Sequence, residues 1–252
     1  MRSLALFLAA AILFGCTAQK SSTTAPAQRI PANFDYTPPS RASVGATNMT
    51  IALLRPTFVG QVRPEFYVPP FNDMATSMGS DFQELLTAKG FSIRGPFGSR
   101  DEMTFNEKTT SDFALEVHII INPLYTIHYN PITNWGSLLN ASASSVQYTT
   151  KVDVSLVGYL EVNAKSPQYG ELLWKKKINL EPMAFSYTGK LKWNGQPTIA
   201  DELKQDNEVY NAMSRQLEKF YTQALNLSWQ QIDPEEMKTI AVQARKADKK
   251  GS

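Results

Sequence analysis

The apolar residues of this chain fall into runs of different period, and each run predicts a different element. The first begins near Leu4 and continues through Phe14, with Arg2 at its head and Gly15-Cys16 at its end. It is well short of the roughly 20 residues that span a bilayer, and the chain turns polar from Thr17. A short run, Met49 to Leu54, closed by Arg55-Pro56, reads as a buried strand. Phe71, Met74, Met78, Phe82, Leu85 and Leu86 then recur at helical spacing, and Gly90 supplies a C-cap. Phe91 and Ile93, ahead of Gly95-Pro96, predict a second strand. Strand, helix, strand in this order is a βαβ unit, whose two strands run parallel.

Strict alternation follows a predicted helical turn within Asp101–Lys108. Phe113, Leu115, Val117, Ile119 and Ile121 share one face of a strand, with Glu116, His118 and Asn122 on the other. Val152, Val154, Leu156, Gly158, Leu160 and Val162 do the same in a longer strand. Ser166-Pro167-Gln168-Tyr169-Gly170 makes a turn, and Leu172, Trp174, Ile178 and Leu180 complete a hairpin, with Lys176 an exception on the apolar face. Phe185, Tyr187 and Trp193 lie in what reads as a glycine-containing loop. Tyr210, Met213, Leu217, Phe220, Ala224 and Leu227 form the stripe of a long helix, about Ile199 to Ser228. Asp233-Pro234-Glu235-Glu236 starts another helix, whose last turns carry Arg245, Lys246, Lys249 and Lys250. The expected fold is α/β (α+β): one domain over residues 49–252, with a mixed β-sheet, an N-terminal βαβ unit, a long antiparallel hairpin and helices packed on the sheet.

The segment between the first run and the first strand changes the picture. Residues 17–48 are rich in Ser, Thr, Ala and Pro, including Pro26, Pro31, Pro38 and Pro39, and read as a flexible tether. If polyproline-like, at ~3.1 Å per residue, such a tether reaches up to roughly 100 Å. Residues 1–15 read as a lipoprotein signal peptide, cleaved before Cys16, whose thiol would be diacylated and whose amine would take a third chain. Each buried CH₂ contributes roughly 0.8 kcal/mol, so several acyl chains hold a protein to a bilayer almost irreversibly. Thr17, where inner-membrane retention would favour Asp, points to the outer membrane, with the domain facing the periplasm or the exterior.

Composition and charge exclude more than they assign. Cys16 is the only cysteine, so the domain holds no disulfide or thiolate metal site. A net charge of +2 leaves no nucleic-acid footprint. There are two histidines, His118 and His128, and no G-x-S-x-G, H-E-x-x-H or glycine-rich phosphate loop. No catalytic residue, cofactor or metal is expected, and the chain is read as a non-enzyme. The segment Asn122–Tyr148 is long for a structureless connection, and it holds Tyr125, His128, Tyr129, Asn134 and Trp135. Aromatics beside amides suit a glycan site or a protein interface, while a hairpin extension or packing on the domain itself explains them equally.

The chain resembles the neuraminyllactose-binding hemagglutinin (HpaA-type) bacterial lipoproteins. The resemblance rests on Ile51-Ala52-Leu53-Leu54-Arg55-Pro56-Thr57-Phe58, on Leu85-Leu86-Thr87-Ala88-Lys89-Gly90-Phe91 and on Asp101-Glu102-Met103-Thr104-Phe105-Asn106-Glu107-Lys108. The helix through Asn211-Ala212-Met213 and the charged tail match in character. It implies an outer-membrane or surface lipoprotein with an adhesin label, in a family that includes flagellar-sheath proteins. Sialyl-sugar binding in that family was linked to a Lys/Arg-rich stretch after the strand matching Phe113–Asn122. Here no Lys or Arg occurs between Lys108 and Lys151, so that site is not carried over. The expected partners are the outer membrane, through acyl chains on Cys16, and other envelope proteins or a second copy. A flagellar-sheath or secretion-associated subunit is the leading expectation, and a glycan-recognising surface adhesin is the alternative.

Overall fold

The computed structural model describes residues 27–60, 63–131, 147–192 and 198–250. Its centre is a mixed seven-stranded sheet with five helices around it, counted among the described residues. β1 (Thr50–Leu54) is flanked by β3 (Ser92–Phe97) and β4 (Phe113–Pro131), parallel to both. α1 (Phe71–Ala88) makes the crossover from β1 to β3, as the βαβ pattern requires. Phe71, Met74, Met78, Phe82 and Leu85 are fully buried, so the helical stripe is the face laid on the sheet. β2 (Thr57–Phe58) continues the β1 edge against His118 and Ile119 of β4.

β5 (Gln147–Lys165) pairs antiparallel with β4 along its whole length, from Ala114↔Lys165 to Pro131↔Tyr148. Each of these strands has 19 residues, about 60 Å at the usual rise, where strands of 3–10 residues are ordinary. The other edge of β5 carries β6 (Leu172–Asn179) and then β7 (Met183–Lys192). Tyr159 pairs with Asn179 and Leu156 with Met183, so the outer chain takes one more step than β5 between these rows. That extra residue is a bulge at Leu180–Pro182, with the Leu180 amide donating to the Gly158 carbonyl at 3.2 Å. Proline sits at such a bulge because it has no N–H to give a ladder.

β7 corrects the sequence reading, which places Phe185 and Tyr187 in a loop. Met183, Phe185 and Tyr187 alternate with Ala184, Ser186 and Thr188 in a plain two-residue period, and Pro182 and Gly189 mask it. The segment from Asn122 is likewise strand through Pro131, despite Pro123.

α3 (Ile199–Gln205) and α4 (Asn207–Gln231) replace the single long helix expected. Asp206 breaks it: its carboxylate accepts from the Glu208 amide at 2.8 Å and the Val209 amide at 3.3 Å, capping a new helix. α5 (Pro234–Lys250) starts at the expected signal, with Asp233 accepting from the Glu235 amide at 3.1 Å. Arg245 returns to the sheet and donates through Nε to Asp112 at 2.9 Å. α2 (Phe105–Thr110) opens on a Thr104/Glu107 capping box. The main core lies between the helices and one sheet face, through Ile51, Leu53, Leu115, Val117, Leu160, Val162, Leu217 and Phe220. On the second face a smaller cluster of Ala52, Leu54, Met103 and Ala114 covers only the β1 end.

Residues 27–48 also depart from expectation. The free tether predicted through residue 48 is, from Ala27, a strap laid on the domain. Asn207 donates to the Ala27 carbonyl at 2.8 Å, and Asn211 brackets the Gln28 carbonyl and the Ile30 amide at 2.8 and 2.9 Å. The Arg29 guanidinium lies 4.1 Å from the Tyr210 ring centre and donates to the Leu203 and Lys204 carbonyls. The Asn33 amide donates to Glu218 at 2.7 Å, and Phe34 packs on Tyr221 with ring centres 5.3 Å apart. The Ala42 amide donates to Ala88 at 2.7 Å and Thr47 to Gly90 at 3.1 Å. A proline-rich segment is ordered here because α4 and α1 supply the backbone partners and apolar cover that it lacks alone.

Candidate functional surface: the ribbon, its latches and the strap

Beyond Asn122 the strands β4, β5 and β7 leave the α/β layer as a three-stranded ribbon with alternating faces. Tyr125, Val154 and Phe185 form one row on the helix-facing side, and Ile127, Val152 and Tyr187 form the next. Two buried carboxylates fasten the covering elements to these rows. Glu65, in a 3₁₀ turn at Pro64–Tyr67, accepts from the Tyr125 hydroxyl at 3.2 Å. Glu202 of α3 accepts from the Tyr187 hydroxyl at 2.8 Å. Burial holds both phenols far above their ordinary range, with the facing carboxylates adding to the effect. Burial also pushes the Glu202 carboxyl up, against the opposing hydrogen bond from Tyr187. Tyr221 makes the same kind of contact with Asp81 of α1, under the strap, and burial raises that carboxyl too. Sequence reasoning missed Glu65, Glu202 and Asp81, because nothing local marks a carboxylate that will be buried by distant elements.

The open face carries a different chemistry. Glu116, His118 and Glu161 lie together, with His118 Nε2 3.5 Å from Glu116 and Nδ1 3.8 Å from Glu161. Lys165 pairs with Glu116 at 2.7 Å and Lys175 with Glu161 at 2.6 Å. The His118 hydrogen bond holds the Glu116 carboxyl below its usual range, and the Lys175 contact does so for Glu161. Each carboxylate is thus paired with a lysine, and Thr57 of β2 is the register partner of His118. Further out, Ile120, Tyr159, Val157 and Leu124 make an apolar strip; Val157 is 42% and Leu124 52% exposed. Lys177 sits over the Tyr159 ring at 3.9 Å. Beyond the strip, His128 reaches Asp153 at 2.9 Å, and Ser186 and Lys151 share that carboxylate. Leu124, Thr126, Asp153, Ser155, Ala184 and Ser186 line a shallow depression of about 440 Å³.

The five residues singled out from sequence do not converge as one loop. Tyr125 is turned inward onto Glu65, whereas His128 is on the opposite, open face. Tyr129 belongs to β4, and Asn134, Trp135 and Cys16 lie outside the described residues. Strand alternation sends Tyr125 and His128 to opposite faces, so these two do not share one surface.

The fold has a counterpart among solved structures. A neuraminyllactose-binding hemagglutinin homologue from Helicobacter pylori matches over 83% of this chain and 98% of its own, with TM-score 0.55 and 15% identity. The two chains share a fold. The likeness is coarse at that identity and shows the fold alone. A PelC dodecamer from Paraburkholderia phytofirmans covers 75% of this chain and 95% of its own at TM-score 0.23 and 12% identity. A minor lipoprotein from Acinetobacter baumannii covers 73% and 94% at TM-score 0.20 and 9% identity. Those scores are too low to define a common fold. No protein-family model and no curated protein sequence matches the chain. Among the described residues no helix is long and apolar enough to cross a membrane.

Proposed function

We propose that this chain is a non-enzymatic lipoprotein of the outer membrane, anchored through acyl chains on Cys16, that works by binding other envelope proteins. The observation that carries the reading is the ribbon's open face: an uncovered apolar strip of Ile120, Leu124, Val157 and Tyr159, flanked by fixed charges. Apolar centre and charged rim are the anatomy of a protein contact. A flagellar-sheath or secretion-associated assembly is the setting suggested by the sequence resemblance. The glycan-binding alternative draws on the name of the Helicobacter homologue, and the inward turn of Tyr125 weighs against it.

Crosslinking in intact envelopes tests this reading. Wild-type protein should yield discrete protein adducts that Leu124→Asp with Val157→Asp abolishes while the protein stays in the membrane fraction. Unchanged adducts in that variant, or glycan-array binding that survives it, count against the reading. Cys16→Ser should leave an uncleaved, unlipidated precursor; mature membrane-bound protein in that mutant removes the anchor.

A further inference from the structure

A cavity of about 390 Å³ opens between α1 and the carboxyl ends of β1 and β3. Such strand ends are where open α/β sheets take their ligands, and the volume is that of a small-ligand site. Arg55, Pro56 and Pro96 form its strand side. The local sequence builds this side. β3 slips against β1 between Ala52 and Leu54, where Gly95-Pro96 stands, and the Arg55 amide closes the step by donating to the Phe97 carbonyl at 2.8 Å. That bond fixes the backbone beneath the Arg55 side chain. Opposite, α1 passes close to Pro56: a Cβ on Gly79 would lie 3.4 Å from the proline ring. Glycine at that point leaves the floor of the cavity bare.

The polar groups around the cavity have a defined sense. The Arg55 guanidinium is exposed and makes no hydrogen bond or ion pair among the described residues. On α1, the Thr76 hydroxyl already donates to the Asn72 carbonyl at 2.9 Å, and the Ser80 hydroxyl to the Ser77 carbonyl at 3.0 Å. What each has left to offer a ligand is lone pairs. The acids of α1 are elsewhere: Asp81 is bound by Tyr221, Glu84 pairs with Arg41, and Asp73 is exposed outside the lining. Glu102, beyond β3, is occupied by the Gly98 amide at 2.7 Å. One guanidinium beside two hydroxyl acceptors, with proline and alanine walls, matches a carboxylate that has an N–H a few atoms away and a small side chain. A planar carboxylate takes two parallel bonds from a guanidinium. A phosphate group carries more charge and more acceptor oxygens than this single cation serves. We propose that the cavity binds the free carboxyl end of a peptide chain, with the terminal carboxylate on Arg55 and the last backbone N–H groups on Thr76 and Ser80. The site is separate from the apolar strip of the ribbon, and the inference needs neither that contact nor the acyl anchor.

The test titrates the full-length protein in detergent with acetyl-alanyl-alanine, with its carboxyl-terminal amide, with a longer peptide ending in the same two residues, and with inorganic phosphate. Amide NMR shifts at Arg55 and Gly79 locate the binding, and calorimetry gives its strength. The acid and the longer peptide should both move these two amides, and the amidated peptide should bind at least about tenfold more weakly, as loss of a bond to a charged group requires. Arg55→Gln should lose the same factor with no change in denaturant midpoint, because the side chain is exposed. Arg41→Gln removes an equal charge from the side of α1 that carries Glu84 and should leave binding unchanged. Equal binding of acid and amide overturns the proposal, as does an equal loss in Arg41→Gln, which identifies diffuse surface charge. Phosphate that shifts the same amides more strongly than the peptide identifies an anion site and overturns it too. So does failure of the longer peptide, or an unmoved Gly79 amide at millimolar acid.

Discussion

Phe34→Ala isolates the strap, because Phe34 belongs to the segment whose order decides how far the domain stands from Cys16. Its ring is 9% exposed and packs on Tyr221. Burying a phenylalanine side chain contributes about 1.5–3 kcal/mol, and a tilted aromatic pair adds about 0.5–1.5 kcal/mol. Truncation should therefore weaken docking by about 2–4.5 kcal/mol, or roughly 30- to 1,600-fold at 1.4 kcal/mol per tenfold. The strap can lift without the sheet unfolding, so the loss stops once docking is no longer favourable, and the global midpoint moves less than for a core residue. Hydrogen exchange reads this directly. The Ile30 amide donates to Asn211 and the Ala42 amide to Ala88, so both should be protected in the wild type. In Phe34→Ala, Ile30 should exchange faster by up to that factor, with the amides of β4 and β5 unchanged. An Ile30 amide that exchanges as in a free peptide in the wild type refutes the docked strap, and with it the short tether.

Three further outcomes follow from the ribbon and its covering helices. A Cβ on Gly158 would lie 2.4 Å from the Ile120 carbonyl oxygen and 3.2 Å from the Phe220 ring; Gly158→Ala should cost at least the 1–3 kcal/mol of ordinary overpacking, read as a fall in denaturant midpoint, and an unchanged midpoint contradicts the close strand–helix approach. Glu202→Gln keeps an acceptor for Tyr187 without a charge to bury. An acid whose folded pKa lies above its unfolded value binds its proton more tightly when folded, so wild-type stability falls as pH rises from the ordinary 4.5 through the raised value. The glutamine variant should thus melt above the wild type at neutral pH, with the gap closing in acid; a gap that widens in acid refutes the assignment. Trp174→Phe removes the 2.8 Å indole N–H bond to Glu236 of α5, about 1.5–3 kcal/mol for a bond to a charged group, and should speed tryptic cleavage after Lys238.

The two-residue and helical periods carried much of the architecture in advance. The βαβ unit, the β5–β6 hairpin and α1 follow from which faces of those elements are apolar, a property that each segment holds by itself. The failures share a cause. Pro123, Pro182 and Gly189 look like stops when read locally, yet β5 is long enough to template β4 and β7 across them. Tyr125 and His128 are neighbours in sequence, and strand parity sends one to Glu65 and the other to Asp153. Asp206 turns a continuous helical stripe into two helices, a choice that its side chain makes through two amides.

By itself the sequence determined the α/β class, the face each regular element would bury, and Cys16 as the one candidate for an anchor. Those depend on local period and residue type. Tertiary structure alone decided that residues 27–48 are a strap laid on α4 and α1 and that Glu65 and Glu202 are buried acceptors. Each of these needs one element to dock on residues outside its own segment. The energy of such a meeting is a property of the packed surface, and no single segment contains it.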